Sequence, residues 1–235
     1  MVKLNDFLNS LDLALNNPSC YLMGGFGQRL WIPDWYNTSY KWNRQNKAII
    51  DAHSTTDPKT YGFDCVGLVK SCMWSYAADP SKEYGAAIYQ SNGIGDITVS
   101  EFQRSCADLS TTFDPDTMEP GELLFYDAKG SHIGVYIGDG EAIESTPAWK
   151  CCVQRTLLPW RNSTNYEKLP VRTWWAHGHT SYIDYEPHVQ DPMNWEKAYR
   201  LLNEKFGDLE ARIKQLEREK EDLQNRINKA KEALK

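Results

Sequence analysis

The stretch YGFDCVGLVKSCMW, residues 61–74, decides the fold class because it places a cysteine at a predicted helix start. Gly62 interrupts the preceding segment, and Asp64 has a side chain typical of a helix N-cap. Apolar residues then recur at helical spacing, so Cys65 is predicted to be the first helical residue. The helix dipole and unpaired N–H groups favour a thiolate there. The alternative is a buried structural thiol, which is our interpretation of Cys72.

A histidine that could act as a base for this thiol lies in the strand-like segment HIGVYIG, residues 132–138. His132 and Gly134 share one face of that strand, which leaves room beside the imidazole for another element, such as a helix end. The Asp-Gly pair at 139–140 predicts a tight hairpin that returns Glu144 on the neighbouring strand. A carboxylate beside an imidazole orients it and stabilises its charged form. The pattern therefore predicts a Cys65–His132–Glu144 site.

The order of predicted elements indicates an α+β fold. Leu4, Phe7, Leu8, Leu11 and Leu15 follow the spacing of a surface helix, and Thr98 with Glu101 forms a capping box for a second helix. Strand-like segments follow at 121–127, 132–138, 141–146 and 151–158, with short turns between the first three. Helices followed by such a run predict an antiparallel sheet.

Charge and composition exclude several classes of function. Residues 1–191 carry 15 Lys and Arg against 23 Asp and Glu, a net charge of −8 that disfavours nucleic acid as a partner. No apolar run is long enough to span a membrane. The six cysteines lack zinc-ligand spacing, and the AHGH segment at 176–179 has no acidic or cysteine ligand nearby in sequence, so neither a metal nor another cofactor is expected.

The N-terminus bears on localisation. Asp6 and Asp12 interrupt its apolar pattern, so it lacks the uninterrupted core of a secretory signal. We therefore expect synthesis in the cytoplasm, without a signal peptide. Action outside the cell would then need release by another factor.

A second region begins near Pro192 and has a strict seven-residue repeat. One series of heptad positions is Trp195, Leu202, Leu209, Leu216, Leu223 and Ala230, and the other is Tyr199, Phe206, Ile213, Lys220, Ile227 and Leu234. Such a seam favours a parallel two-stranded coiled coil. The alternative is one long helix folded back on the first domain. We predict a domain at 1–190 and a coiled-coil oligomerisation helix at 191–235, and hence a homo-oligomer.

Several motifs together resemble the NlpC-like cell-wall cysteine peptidases, a papain-related fold. FDCVGLV (63–69), EPGELLFYD (119–127) and HIGVYIGDGEAIE (132–144) follow the order of that family's nucleophile, middle-strand and histidine motifs. YLMGGFG (21–27) is similar to its aromatic–glycine motif. The resemblance implies a helix that carries the nucleophile and packs on an antiparallel sheet. Val66 replaces the usual serine, and Glu144 stands where His, Asn or Gln is more frequent.

The same resemblance implies a function. EAIESTPAWKCCVQRT (141–156) and WWAHGHTSYIDY (174–185) are similar to segments of bacteriophage endolysins of this family. The implied substrate is peptidoglycan, cut either within its stem peptide or, by an amidase, between muramic acid and L-alanine. The implied substrate-binding residues are Tyr21, Asp64, Trp35 and Trp149. A different class of function is an inactive wall-binding or phage structural module carried on a coiled coil.

The segment at 31–60 is an insertion ahead of the nucleophile motif. Its first third is rich in Trp and Tyr. This composition is typical of a satellite core under a surface loop, and equally of a rim that grips substrate.

Overall fold

The structure, a computed structural model, describes residues 1–30, 40–56, 60–161 and 168–185, with five helical positions further on: Leu216, Arg218, Lys220, Gln224 and Asn228. The chain divides into two compact units, Met1–Tyr185 and Glu186–Lys235. Apart from those five positions, the predicted coiled coil lies outside the described residues and stays a prediction, as does the boundary at 190. Within the described ranges, no helix has the length and apolar character needed to cross a bilayer.

The first unit places most helices before its main sheet. In chain order the elements are β1 (Val2–Lys3), α1 (Leu4–Asn16), β2 (Ser19–Tyr21), β3 (Phe26–Arg29), α2 (Lys41–Gln45), α3 (Lys47–Thr56), β4 (Tyr61–Phe63), α4 (Cys65–Met73), α5 (Val99–Ser105), β5 (Leu123–Phe125), β6 (Ile133–Gly138), β7 (Glu141–Thr146), β8 (Cys152–Leu157), β9 (Ala176–Gly178) and β10 (Ile183–Asp184). The predicted caps are confirmed: Asp64 caps α4, and Thr98 with Glu101 caps α5.

The main sheet is antiparallel, with strand order β8-β7-β6-β5-β9. Strands β5, β6, β7 and β8 confirm the four predicted strands. The Asp139–Gly140 hairpin joins β6 to β7 and pairs Val135 with Ile143. β6 begins at Ile133, so His132 lies just before the strand, at the end of the sheet. Strand β9 was not predicted, because three residues are too few to show alternation.

Helix α4 packs against the apolar face of β6 rather than its glycine face. Cys65, Leu68 and Val69 share a buried cluster with Ile133 and Val135. The expectation that a helix end would fill the space beside Gly134 is therefore wrong. The apolar side chains of α4 remove more surface from water against Ile133 and Val135 than they would against glycines.

A crossing segment, residues 170–175, fills the glycine face instead. At one edge of the sheet, Leu157 of β8 exchanges backbone hydrogen bonds with Pro170 and Arg172, at 2.8 and 2.9 Å. At the other end of the segment, the Trp175 N–H donates to the Phe125 carbonyl of β5, at 2.8 Å. The segment therefore spans strands β7 and β6, and the side chains it carries reach residues of both.

Smaller sheets complete the unit. β4 pairs with β2 in parallel and with β3 in antiparallel, and β1 pairs with β10. Part of the insertion before the nucleophile forms a satellite core: Trp42 packs on a small cluster of Cys20, Leu22, Leu30 and Ile50. The core interpretation of the insertion is thus confirmed for Trp42. All six cysteines of the chain are free thiols.

The two histidines of the AHGH segment bind carboxylates of the protein itself. His177 in β9 pairs through Nδ1 with Glu122, and its Nε2 donates to the Thr112 carbonyl at 2.8 Å. His179 pairs through Nδ1 with Asp108 at 2.5 Å. These contacts tie β9 to β5 and to the loop after α5.

The His177–Glu122 pair makes stability depend on pH. The hydrogen bond to Glu122 raises the pKa of His177 above its ordinary 6.5, against the opposing effect of burial. Because the folded pKa exceeds the unfolded one, the stabilisation is complete below pH 6.5 and is lost as pH rises through the folded pKa. We expect His177→Asn to lower the melting temperature more at about pH 6 than at about pH 9. Equal losses at both pH values in thermal denaturation would contradict this.

Candidate active site

Asp64 caps the start of helix α4, and both of its side-chain oxygens accept hydrogen bonds from backbone N–H groups. Asp64 Oδ1 accepts from the Gly67 N–H at 2.6 Å, and Oδ2 accepts from the Gly24 N–H at 2.7 Å. A Cβ on Gly67 would lie 1.8 Å from the Gly25 carbonyl oxygen, so only glycine fits there. Asp64, predicted to bind substrate, therefore has both oxygens engaged with backbone, where they fix the helix start beneath the loop at Gly24 and Gly25.

Cys65 occupies the predicted first helical position and is 8% exposed. Burial, followed by the Asp64 carboxylate, raises the pKa of its thiol to about 12. The backbone N–H groups of Ile133, Val66 and Cys65 itself act in the opposite direction without overcoming burial. The predicted effect of the helix start is present, but the resting thiol is protonated, so a thiolate must form by proton transfer to a nearby base.

His132 and Glu144 meet in the predicted arrangement. His132 Nε2 lies 2.6 Å from Glu144 Oε2, which leaves Nδ1 as the ring nitrogen available to the thiol. Ile133, the residue after His132, directs its backbone N–H at the Cys65 sulfur. Ser145, which follows Glu144 in β7, donates to the Phe63 carbonyl at 2.8 Å. Strands β6 and β7 are thus both fixed to the start of α4, which brings Cys65, His132 and Glu144 together.

Glu144 is completely buried and accepts hydrogen bonds from two further side chains. Thr156 Oγ1 lies 2.9 Å from Oε1, and Arg172 Nε lies 2.6 Å from the same oxygen. Burial raises the pKa of Glu144, but the hydrogen bond and charge of His132, together with Arg172, outweigh it and hold the pKa below its ordinary value. Glu144 therefore stays ionised.

Two contacts of Glu144, Thr156 and Arg172, were not predicted from the sequence. Thr156 could have been found by alternation, since β8 lies beside β7 and Thr156 lies on the face that carries Glu144. Arg172 had no such signal, because it is 28 residues from Glu144 in sequence and arrives on the irregular crossing segment.

Aromatic rings surround the imidazole and the guanidinium. The Trp174 ring stacks on His132 with centroids 5.6 Å apart and planes 7° apart. A Cβ on Gly134 would lie 2.7 Å from that ring, so the glycine is what admits the indole. Trp149, which is 52% exposed, has its ring centroid 4.7 Å from the Arg172 guanidinium. The predicted substrate residue Trp149 therefore lies at the site, on its solvent side.

Tyr21 also lies at the site. Burial raises the pKa of its phenol, followed by the charges of Cys65 and Asp64, so its hydroxyl remains a hydrogen-bond donor at any physiological pH. Its ring packs edge-on against Trp42, with centroids 4.9 Å apart. Trp35, the remaining predicted substrate residue, lies outside the described residues.

A cleft of about 790 Å³ opens beside the nucleophile. Asp64, Val66 and Gly67, which flank Cys65, line it, and so does Gly130 in the loop before His132. Its lining also includes an aromatic wall of four residues: Phe26, Tyr40, Tyr84 and Tyr89. The volume is that of a small-ligand or peptide cleft. Cys65, His132 and Glu144 line neither this cleft nor a second one, of about 840 Å³ between the end of α1 and β8.

Comparison with known families is consistent with this geometry. The NlpC/P60 family model matches residues 37–157, just over half of the chain's 235 residues. The chain belongs to the NlpC/P60 family. Cys65, His132 and Glu144 lie within the matched range, whereas Tyr21 and Arg172 lie outside it. NlpC/P60 proteins are cysteine peptidases and hydrolases that act on peptidoglycan, with a papain-like fold of mixed helices and antiparallel sheet.

Among solved structures, the NlpC/P60 chain is similar to the peptidoglycan hydrolase RipB from Mycobacterium tuberculosis. The two share 19% identity, the match covers 77% of this chain and 84% of the RipB chain, and the TM-score is 0.29. None of the curated protein sequences matches this chain.

The contact between Gly134 and Trp174 predicts a sensitive position. In Gly134→Ala the new Cβ would lie 2.7 Å from the indole, so the ring must shift, which disturbs the surface on which His132 stacks. We expect the rate of peptidoglycan hydrolysis to fall about 10- to 100-fold with the fold retained. Gly95→Ala is the matched control, since its Cβ meets only Ile97, at 3.7 Å. A wild-type rate for Gly134→Ala would contradict the role of the stack.

Proposed function

We propose that this protein is a peptidoglycan hydrolase of the bacteriophage endolysin type, which cleaves an amide bond in the stem peptide with Cys65, His132 and Glu144. The observation that carries the proposal is the 2.6 Å contact between His132 Nε2 and buried Glu144, beside a cysteine that begins a helix. A nucleophile, a base and an orienting acid in this order are the parts that acyl transfer needs.

The proposed reaction begins with proton transfer from the Cys65 thiol to His132. The sulfur attacks the amide carbonyl, and the C–N bond breaks as the imidazolium returns the proton to the leaving amine. Water then attacks the thioester with His132 as base, which releases the carboxylate and restores the thiol. Glu144 holds the imidazole in one orientation and stabilises its charged form throughout.

The oxyanion formed in each half-reaction needs hydrogen-bond donors. The Cys65 backbone N–H at the start of α4 is one, and the Tyr21 hydroxyl is the other in this proposal. The raised pKa of Tyr21 supports this role because the phenol keeps its proton.

The aromatic wall beside the nucleophile suits the substrate. Phe26 and Tyr84 stack with centroids 4.9 Å apart, and Tyr89 packs against Phe26 at 5.7 Å. Flat apolar rings bind sugar and peptide faces. The charge of Lys70, which also lines the cleft, is balanced by its pairing with Asp96, so the cleft does not select an anionic ligand through this lysine. Together these features support a peptide that carries sugars as the ligand.

Replacement of Cys65 tests the proposal. Cys65→Ala should reduce release of soluble fragments from purified Gram-positive peptidoglycan at least about 1,000-fold, because it removes the nucleophile. Cys152→Ser, at a partly buried thiol of β8, should keep the wild-type rate. Retained hydrolysis by Cys65→Ala would overturn the mechanism, and an inactive wild type that still binds the wall would favour a binding module.

Mass spectrometry of the released fragments identifies the bond. Stem peptides cut at an internal bond support the endopeptidase. Whole stem peptides with a free L-alanine N-terminus, together with glycan strands whose muramic acid has lost its peptide, would instead show an N-acetylmuramoyl-L-alanine amidase. Release through a holin-type pore, also part of the endolysin proposal, predicts that cytoplasmic expression alone leaves host cells intact until the membrane is opened.

The heptad region supports a second proposal, that the chain forms a parallel coiled-coil dimer through residues 192–235. Light scattering should give twice the 27.0 kDa chain mass at micromolar concentration. Leu209→Glu with Leu216→Glu should restore the monomer, since charges at d positions oppose the seam. Gln215→Glu, outside the seam, is the control. A monomeric wild type would contradict the proposal.

A further inference from the structure

Arg172 brings a positive charge to the acid that orients the catalytic histidine. Its Nε donates to Glu144 Oε1 at 2.6 Å, and its Nη2 donates to Thr146 Oγ1 at 3.1 Å. Glu144 and Thr146 are alternate residues of β7 and so lie on the same face of the sheet. The planar guanidinium therefore spans both residues in one orientation, which a lysine ammonium could not reproduce.

Aromatic rings hold the guanidinium in this place. Ring centroids lie at 4.7 Å for Trp149, 5.5 Å for Trp174 and 5.7 Å for Tyr126. Rings attract a cation through their faces and do not compete for its hydrogen bonds. The positive charge thus remains directed at Glu144, although Arg172 belongs to an irregular segment.

The two carboxylate oxygens of Glu144 accept hydrogen bonds from different residues. Oε2 binds His132, while Oε1 binds Thr156 and Arg172. A buried carboxylate with the imidazole as its sole charged partner would have a high affinity for a proton, held on either group. In both cases His132 would be less able to accept the proton of Cys65, because its carboxylate partner would be neutral or the imidazole already charged.

The charged and titratable groups that act on the three residues come from several elements. Asp64 at the start of α4 acts on Cys65, and Tyr21 of β2 lies near both of these groups. His132 and Arg172 act on Glu144. In the described part of the chain, Arg172 is the permanent cation that contacts Glu144. Its charge therefore opposes proton uptake by the pair over the whole working range of pH.

We propose that Arg172 is a positioning residue for the hydrolysis: it balances the buried charge of Glu144 and fixes that carboxylate, so that His132 stays free to accept the Cys65 proton. This inference rests on the proposed function for its biological meaning. It also explains how a glutamate serves at a position where the family more often has an uncharged or histidine side chain.

The pH dependence of Cys65 alkylation tests the inference without any substrate. Iodoacetamide labelling is followed by mass spectrometry of the peptide that contains Cys65. In Arg172→Gln the rise of the labelling rate with pH should move up by about one pH unit, because loss of a nearby cation favours protonation of the pair. Arg155→Gln is the matched control: Arg155 pairs with Glu141 at 3.2 Å on the same sheet, and its loss should leave the profile in place.

Two further variants separate charge from structure. Arg172→Lys keeps the cation, so its labelling profile should stay within about 0.3 pH unit of wild type while kcat falls and KM is retained, because the two-point clamp is lost. Glu144→Gln with Arg172→Gln should lose less activity than the product of the single losses, since the charge to be balanced is gone.

Several outcomes would overturn the inference. An unshifted labelling profile in Arg172→Gln, with melting temperature lowered, would show that Arg172 only stabilises the fold. If Arg172→Gln does not fold, two other results would overturn the inference. One is a labelling profile for Arg172→Lys that is shifted by a full pH unit. The other is an activity loss in the double variant that equals the product of the single losses. Normal labelling behaviour with no hydrolysis of peptidoglycan by the wild type would instead reject the proposed function and leave the pairing intact.

Discussion

A fully buried carboxylate is the constraint on which this site depends. Glu144 lies fully buried on an inner strand of the main sheet, where an unpaired charge would be strongly destabilising. Three side chains donate to it, and they come from the loop before β6, from β8 and from the crossing segment. The hydrogen bonds to this one acid therefore fix the orientation of His132 and account for the return of the chain across the sheet after β8.

Cys65, the proposed nucleophile, is subject to a separate constraint at the start of α4. Both oxygens of Asp64 bind backbone N–H groups, and Gly67 permits the loop at Gly24 and Gly25 to lie against the helix. The resulting burial keeps the Cys65 thiol protonated, in spite of the helix dipole. In the proposed mechanism, reactivity therefore depends on the pair of Cys65 and His132 and not on the cysteine alone. The hydrogen bond from Ser145 to Phe63 joins the two halves of the site.

The two faces of β6 pack against different parts of the protein. Ile133 and Val135 pack on α4 and form part of the core, while Gly134 leaves space for the Trp174 indole on the opposite face. His132 lies just before the strand, where its ring stacks on the indole, and the N–H of the following residue, Ile133, is directed at the Cys65 sulfur. The crossing segment thus contributes both the ring beside the imidazole and the cation beside the carboxylate.

Local sequence was sufficient for part of the secondary structure, for the position of Cys65 at a helix start and for the meeting of His132 with Glu144. N-caps, alternation and the Asp-Gly hairpin act within a few residues, so α4, α5 and the strands from β5 to β8 could be predicted, and with them Cys65, His132 and Glu144. The packing face of β6, the protonation of the buried thiol and the contacts of Arg172 and Trp174 were decided only by tertiary structure. Each depends on groups distant in sequence, whose burial and charge act only once the sheet and the crossing segment have come together.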